Sequence, residues 1–143
     1  MPYNQTIEVG DDLNEVSRVQ EELSKLWECR ELPPDIEMPV SLGLEEVLSN
    51  VLRHSVIDGR SREIRVTFQF DDRGFEFEVS DSASPYDPLS RPDPDLNIPL
   101  EERTPGGLGV YLAKQFADEI AYERRNGRNC LRFRKLFPSD SAE

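Results

Sequence analysis

The stretch EEVLSNVLRH, residues 45–54, combines an apolar helical face with a row of polar side chains. Apolar residues at three- and four-residue steps predict a helix from about Pro39 to Ser55 with one buried face. They are Leu44, Val47, Leu48, Val51 and Leu52. Glu46, Asn50 and His54 follow at four-residue steps on a neighbouring stripe. Most such stripes are solvated helix faces, but a carboxylate and an amide oxygen side by side could also hold Mg²⁺, and the carboxylate could serve as a general base.

Upstream, a short strand around Thr6–Val9 leads into a first helix. Asp12 and Glu15 form a capping-box arrangement that predicts its start, and Leu32-Pro33-Pro34 ends it. At the spacing of its apolar stripe, core packing of Trp27 is favoured over stacking on a cofactor. The stripe comprises Leu13, Val16, Val19, Leu23, Leu26 and Trp27.

Downstream, alternation with period two predicts strands. Ile64–Phe70 and Phe75–Val79 flank a Gly-containing turn and predict an antiparallel hairpin, and a second hairpin closes around Asn126-Gly127. With a third helix marked by Leu108, Leu112 and Phe116, these elements predict an α/β two-layer sandwich, in which helices cover one face of a mixed, mostly antiparallel sheet.

The segment from Ala83 to Pro105 interrupts this pattern. It holds six of the eleven prolines and shows no sustained periodicity. A loop of this length inside a compact domain is usually functional or disordered. It leads into Gly106-Gly107-Leu108-Gly109, and glycines before a helix let a phosphate approach the backbone amides of the first turn. Asp81, just before the loop, is equally plausible as a turn residue or as an acceptor for an exocyclic amine.

Composition narrows the classes of function. The 143 residues carry a net charge of -12, which argues against nucleic-acid binding and favours partners with basic patches. We expect one domain over residues 1–143 with a frayed tail from about Pro138. The sequence contains neither a membrane-spanning run nor a signal layout, so a cytoplasmic location is expected. Cys29 and Cys130 are predicted to be ordinary thiols.

Three boxes in order resemble those of the ATP-binding fold shared by histidine kinases, gyrase-type topoisomerases and anti-sigma factor serine kinases. Residues 45–54 resemble its N-box, Asp81-Ser82-Ala83-Ser84-Pro85 stands at its D-x-G-x-G box, and residues 106–109 resemble its second glycine box. Pro85-Tyr86-Asp87-Pro88 and residues 118–124 are most similar to the bacterial anti-sigma serine-kinase branch.

The resemblance implies a role for each box. Asn50 would ligate a Mg²⁺ that bridges the ATP phosphates, and Glu46 would act as base for a serine hydroxyl. Asp81, beside Ala83, would accept a hydrogen bond from the adenine amine. Residues 83–105 would form an ATP lid. The phosphates would meet backbone amides at Gly106, Gly107 and Gly109, with Arg103 at the terminal phosphate.

The match also has departures. Ala83 and Pro85 replace the two glycines of the first box, and no Thr stands on the closing strand at residues 130–133. These departures concern nucleotide affinity, because Ala adopts positive φ poorly.

Two functions follow, from different classes. The first is a serine protein kinase that acts as an anti-sigma factor, binds a sigma factor and phosphorylates a small anti-sigma antagonist. The alternative is a module that sequesters such partners without phosphoryl transfer. Because family members often dimerise, a homodimer is a further expectation. A sensor histidine kinase is disfavoured, because His54 is the one histidine and lies inside the predicted ATP-site helix.

Overall fold

A five-stranded sheet forms one layer of the protein. The computed structural model describes residues 3–58, 63–90 and 107–138. Every strand pairing within these residues is antiparallel, and the spatial order is β1-β2-β3-β5-β4. The strands are β1 (Tyr3–Val9), β2 (Ile64–Phe70), β3 (Gly74–Asp81), β4 (Glu119–Arg125) and β5 (Arg128–Leu136).

In the described part of the chain, three helices form the second layer. They are α1 (Glu15–Cys29), α2 (Glu37–Asp58) and α3 (Gly107–Phe116), and short 3-10 turns occupy Pro34–Ile36 and Pro88–Ser90. The predicted α/β sandwich is confirmed, and the described sheet is antiparallel throughout. None of the helices within the described ranges is both long and apolar enough to cross a bilayer.

The buried face of the sheet carries a row of aromatic rings. Phe68, Phe77 and Phe133 stand opposite one another on β2, β3 and β5, and none is exposed to solvent. The rings of Phe77 and Phe133 stack with centroids 4.7 Å apart. Burying side chains of this size contributes roughly 1.5–3 kcal/mol each, so this row anchors the sheet to the helices above it.

Helix α2 lies unusually close to the sheet at Gly43. A Cβ atom on Gly43 would come within 2.7 Å of Cζ of Phe133.

Trp27 on α1 is buried, with 3% of its surface exposed. Its ring packs edge to face with Phe75, and its Nε1 donates a hydrogen bond to the Pro33 carbonyl over 2.9 Å. The prediction that Trp27 packs in the core is confirmed.

The start of α1 differs from the prediction. Asn14 is the N-cap residue and makes no side-chain capping bond. Asp12 Oδ1 accepts from the Asn14 amide, and Glu15 Oε1 reaches back to the Gly10 amide over 2.7 Å. The predicted Asp12–Glu15 capping box is therefore wrong, because each carboxylate is engaged by a different amide. Leu13, placed in the apolar stripe by its spacing, precedes the helix and is 54% exposed.

The hairpin turns formed as predicted. Asn126 and Gly127 both have positive φ, at 53° and 75°, as a two-residue type I′ turn requires.

The two cysteines are unpaired. Cys29 is exposed, Cys130 is buried, and both are free thiols. Within the described residues, no group of three His, Cys, Asp or Glu side chains could hold a metal.

Candidate nucleotide-binding site

A cleft opens between the helical layer and one end of the sheet. It encloses about 830 Å³, including its open mouth, and is mostly apolar with a few polar groups. A mostly apolar lining with a few polar groups is typical of a small-molecule site. The helices contribute Val47, Asn50 and Val110, and β3 with the loop after it contributes Asp81, Ala83 and Pro85.

Asp81 ends β3 at the floor of this cleft and is 6% exposed. Its Oδ1 accepts hydrogen bonds from the Ala83 amide over 2.9 Å and from Asn129 Nδ2 over 3.1 Å. A carboxylate held by two donors on one oxygen keeps acceptor capacity on the other. One oxygen closes the turn while the residue lines the cleft, so the turn role is confirmed and the role as acceptor for an exocyclic amine stays a prediction.

Ala83 adopts ordinary backbone geometry. Among the described residues, positive φ occurs only at Glu31, Asn126 and Gly127. The replacement of a glycine by Ala83 therefore introduces no left-handed strain in this loop. Ala83 and Pro85 both line the cleft, where their side chains add apolar surface.

Asn50 and Glu46, one turn apart on α2, have different surroundings. Asn50 is 7% exposed and lines the cleft together with Asp81 and Ala83. Glu46 is half-buried one turn earlier and lies against α3. A Cβ on Gly109 would meet the Glu46 carboxylate directly, with its Cδ 3.4 Å away. The fold therefore brings the N-box stripe and the second glycine box together.

The chain matches a known protein family over most of its length. The model of the family described as "Histidine kinase-like ATPase domain" matches residues 9–135. The chain belongs to this family. A relative, the serine/threonine-protein kinase BtrW of Bordetella bronchiseptica, is 29% identical over 105 residues, which cover 73% of this chain and 70% of the relative. Membership of this family implies that the chain binds ATP.

Several predicted residues of the ATPase domain lie outside the described structure. Arg103 and Gly106 fall between residues 91 and 106, as does most of the predicted lid. The side chain of His54 is likewise outside the described part. Gly107 is described as the first residue of α3.

Asn129 is the residue of this site that the sequence analysis missed. It is 7% exposed on β5, directly opposite Asp81 on β3, and it lines the cleft. In the sequence, only its position could have pointed to it: Asn129 lies two residues after the Asn126-Gly127 turn, at the start of the closing strand. That position became informative only through the β3–β5 register.

The neighbouring Cys130 is a buried thiol. Burial raises the pKa of this thiol, so this end of β5 carries no thiolate at neutral pH.

Proposed function

We propose that this protein is an ATP-dependent serine protein kinase that acts as an anti-sigma factor in a partner-switching system. The observation that carries the proposal is the convergence of Asn50 and Asp81 on one cleft, with Glu46 held at the first turn of α3. Family membership supports ATP as the substrate, and the name of the Bordetella relative supports a serine or threonine acceptor.

Nucleotide binding would use the cleft and the start of α3, whose Val110 lines the cleft. Asp81 accepts a hydrogen bond from the adenine amine at the floor. The phosphates lie towards Gly106, Gly107 and Gly109, where backbone amides and the positive end of the helix dipole favour anions. By the family resemblance, Arg103 would contact the terminal phosphate.

Asn50 would be the protein ligand of a Mg²⁺ ion that binds together with ATP. It lines the cleft and has an amide oxygen to offer. Mg²⁺ suits such a site, since it commonly takes few protein ligands and completes its shell with phosphates and water. When bound, the ion neutralises phosphate charge. Asn50 would hold it.

Glu46 serves as the general base. It accepts the proton of a serine hydroxyl on the protein substrate as that oxygen attacks the terminal phosphorus of ATP. The phosphorus–oxygen bond to ADP breaks, and ADP leaves. Phosphoryl transfer of this kind depends mainly on positioning and charge stabilisation, so a base held against α3 beside the phosphate site is well placed.

The proposed partners are a sigma factor and a small anti-sigma antagonist, and the antagonist is the phosphorylated substrate. The net charge of -12 supports partners with basic patches and opposes direct contact with nucleic acid. Residues 1–143 would act as a single ATPase domain in the cytoplasm. The chain would also form a homodimer.

The test is a transfer assay with purified chain, labelled Mg-ATP and a panel of small anti-sigma antagonist domains. We expect phosphoserine on at least one domain. Glu46→Gln should lower the rate by about 100-fold or more, the size of a lost general base. Glu45→Gln is the matched control, because Glu45 is the exposed neighbour on the same helix and should change the rate less than twofold. Absence of phosphoserine across the panel would refute the kinase proposal, and equal loss in both variants would refute Glu46 as the base.

A second candidate is a sequestering module without catalysis, favoured by Ala83 and Pro85 at the two glycine positions. A thermal-shift titration separates the candidates. A kinase must be stabilised by Mg-ATP, and the stabilisation grows as RT ln(1 + [L]/Kd). No shift at millimolar ATP would favour the sequestering module.

A further inference from the structure

The side chain of Asn129 uses its whole hydrogen-bonding capacity at the floor of the cleft. Its Nδ2 donates to Asp81 Oδ1 over 3.1 Å and to the Ser84 carbonyl over 2.9 Å. Its Oδ1 accepts from Tyr122 Oη over 2.6 Å, from the Tyr86 amide over 3.1 Å, and from Arg124 Nη1 over 3.2 Å. Two acceptors on one side and three donors on the other permit one orientation of the amide.

This orientation determines how Asp81 is presented. Asp81 Oδ1 is taken by Asn129 and by the Ala83 amide, and no described residue donates a hydrogen bond to Oδ2. An ionised carboxylate is an acceptor-only group, so Oδ2 can accept a hydrogen bond but cannot donate one. Such a group matches an exocyclic amine and repels a carbonyl oxygen.

The same network holds the loop after β3. Asn129 fixes the Ser84 carbonyl and the Tyr86 amide, and Arg124 Nη1 donates to the Ala83 carbonyl over 2.8 Å. The loop is therefore pinned from the β4–β5 hairpin at residues 83, 84 and 86. These are the residues at and beside the two glycine positions that Ala83 and Pro85 occupy here.

We propose that Asn129 is the positioning residue for purine selection, orienting Asp81 and the loop 82–86 so that the cleft accepts a 6-amino purine and rejects purines lacking that amine. This assignment rests on the proposed ATP-binding function. Asn129 acts through Asp81 and the loop, so its removal should change the selectivity between nucleotides more than the affinity for phosphate.

The experiment compares the Kd of ATP with that of purine riboside triphosphate, which lacks the 6-amino group, on the full chain with Mg²⁺. The parent should prefer ATP by about tenfold, the effect of one lost hydrogen bond at a buried acceptor. In Asn129→Ala the preference should fall to about twofold or less, while the Kd of the analogue changes by less than about threefold. A purely structural role would weaken both nucleotides in parallel.

Arg124→Gln and Arg125→Gln form a matched pair on the exposed hairpin. Arg124 holds the loop, whereas Arg125 pairs with Glu78 over 2.9 Å and with Glu123 over 3.1 Å on the open face of the sheet. We expect the preference for ATP to fall in Arg124→Gln and to stay at the parent value in Arg125→Gln. Amide hydrogen exchange at Ala83 and Tyr86, measured without nucleotide, should accelerate only in Arg124→Gln.

An unchanged preference in folded Asn129→Ala would overturn the assignment and leave the proposed function standing. Should Asn129→Ala fail to fold, the preference measured in Arg124→Gln decides, and a parent-like value there overturns the assignment. Failure of the parent chain to bind either nucleotide would overturn the proposed function, and the purine selection with it.

Discussion

The carboxyl group of Glu46 on α2 lies directly against Gly109 in the first turn of α3. Any side chain at position 109 would occupy the space of that carboxylate. The two helices therefore meet at a point where one supplies a charged group and the other supplies bare backbone. This contact is what places the proposed base beside the proposed phosphate site.

Gly109→Ala should not stabilise the protein. Within a helix this change ordinarily stabilises by up to about 1 kcal/mol, but here the new methyl group meets the Glu46 carboxylate, the far end of a flexible side chain that must move aside, so we expect that gain to be lost. Urea unfolding measures the difference.

The double variant Glu46→Ala/Gly109→Ala provides the control. Removing the carboxylate makes room for the methyl group, so the two changes should be non-additive by about 1 kcal/mol or more. Strict additivity would show that the contact does not limit position 109.

Gly43→Ala should destabilise the protein, by about 1–3 kcal/mol, because the added methyl group meets the buried Phe133 ring on β5. Combining it with Phe133→Leu should recover part of the loss, since the smaller side chain leaves space above the sheet. A stabilising effect of Gly43→Ala, as expected at an exposed helix position, would contradict this close packing.

The Glu15–Arg18 pair predicts a dependence of stability on pH. The hydrogen bond from Arg18, followed by that from the Gly10 amide, lowers the pKa of Glu15 from 4.5 to about 2. The folded state therefore stabilises the ionised form of Glu15 relative to the unfolded state. The contribution to stability is therefore complete above pH 4.5 and is lost as the pH falls towards 2.

Glu15→Gln should accordingly lower the free energy of unfolding at pH 7 by about 0.5–1 kcal/mol, the range for a partly exposed ion pair. The difference from the parent should narrow as the pH falls from 4.5 to 3. Glu22→Gln is a control, because Glu22 lies 3.9 Å from Lys25 and is a weaker partner. A difference that is constant with pH would mean that the Glu15 charge makes no contribution.

The two cysteines should react at different rates. Cys29 is exposed, whereas Cys130 is buried and burial raises the pKa of its thiol. We expect one thiol to react quickly with a disulfide reagent at pH 7.5 and the second only after unfolding. In Cys29→Ser the fast phase should disappear, and a fast phase that persists there would contradict the burial of Cys130.

Much of the fold could be predicted from the residues themselves. Alternation in residues 64–70 and 75–79, the Asn126-Gly127 turn, and the apolar steps of α2 each reflect a local rule: a strand repeats every two residues, a helix every 3.6. Element ends were less predictable. Leu13 fits the helical spacing of α1, yet it lies outside the helix, because Asp12 and Glu15 bind backbone amides that keep this segment in a turn.

The sequence by itself determined the layers, the antiparallel hairpins and the family, since those follow from periodicity and from motifs contiguous in the chain. Only the tertiary structure decided which distant residues meet. Asn129 stands 48 positions from Asp81 and becomes its partner through the β3–β5 register. Glu46 and Gly109 meet because α2 and α3 pack against each other. Strand register and helix crossing depend on the packing of the whole core, and no local pattern encodes them.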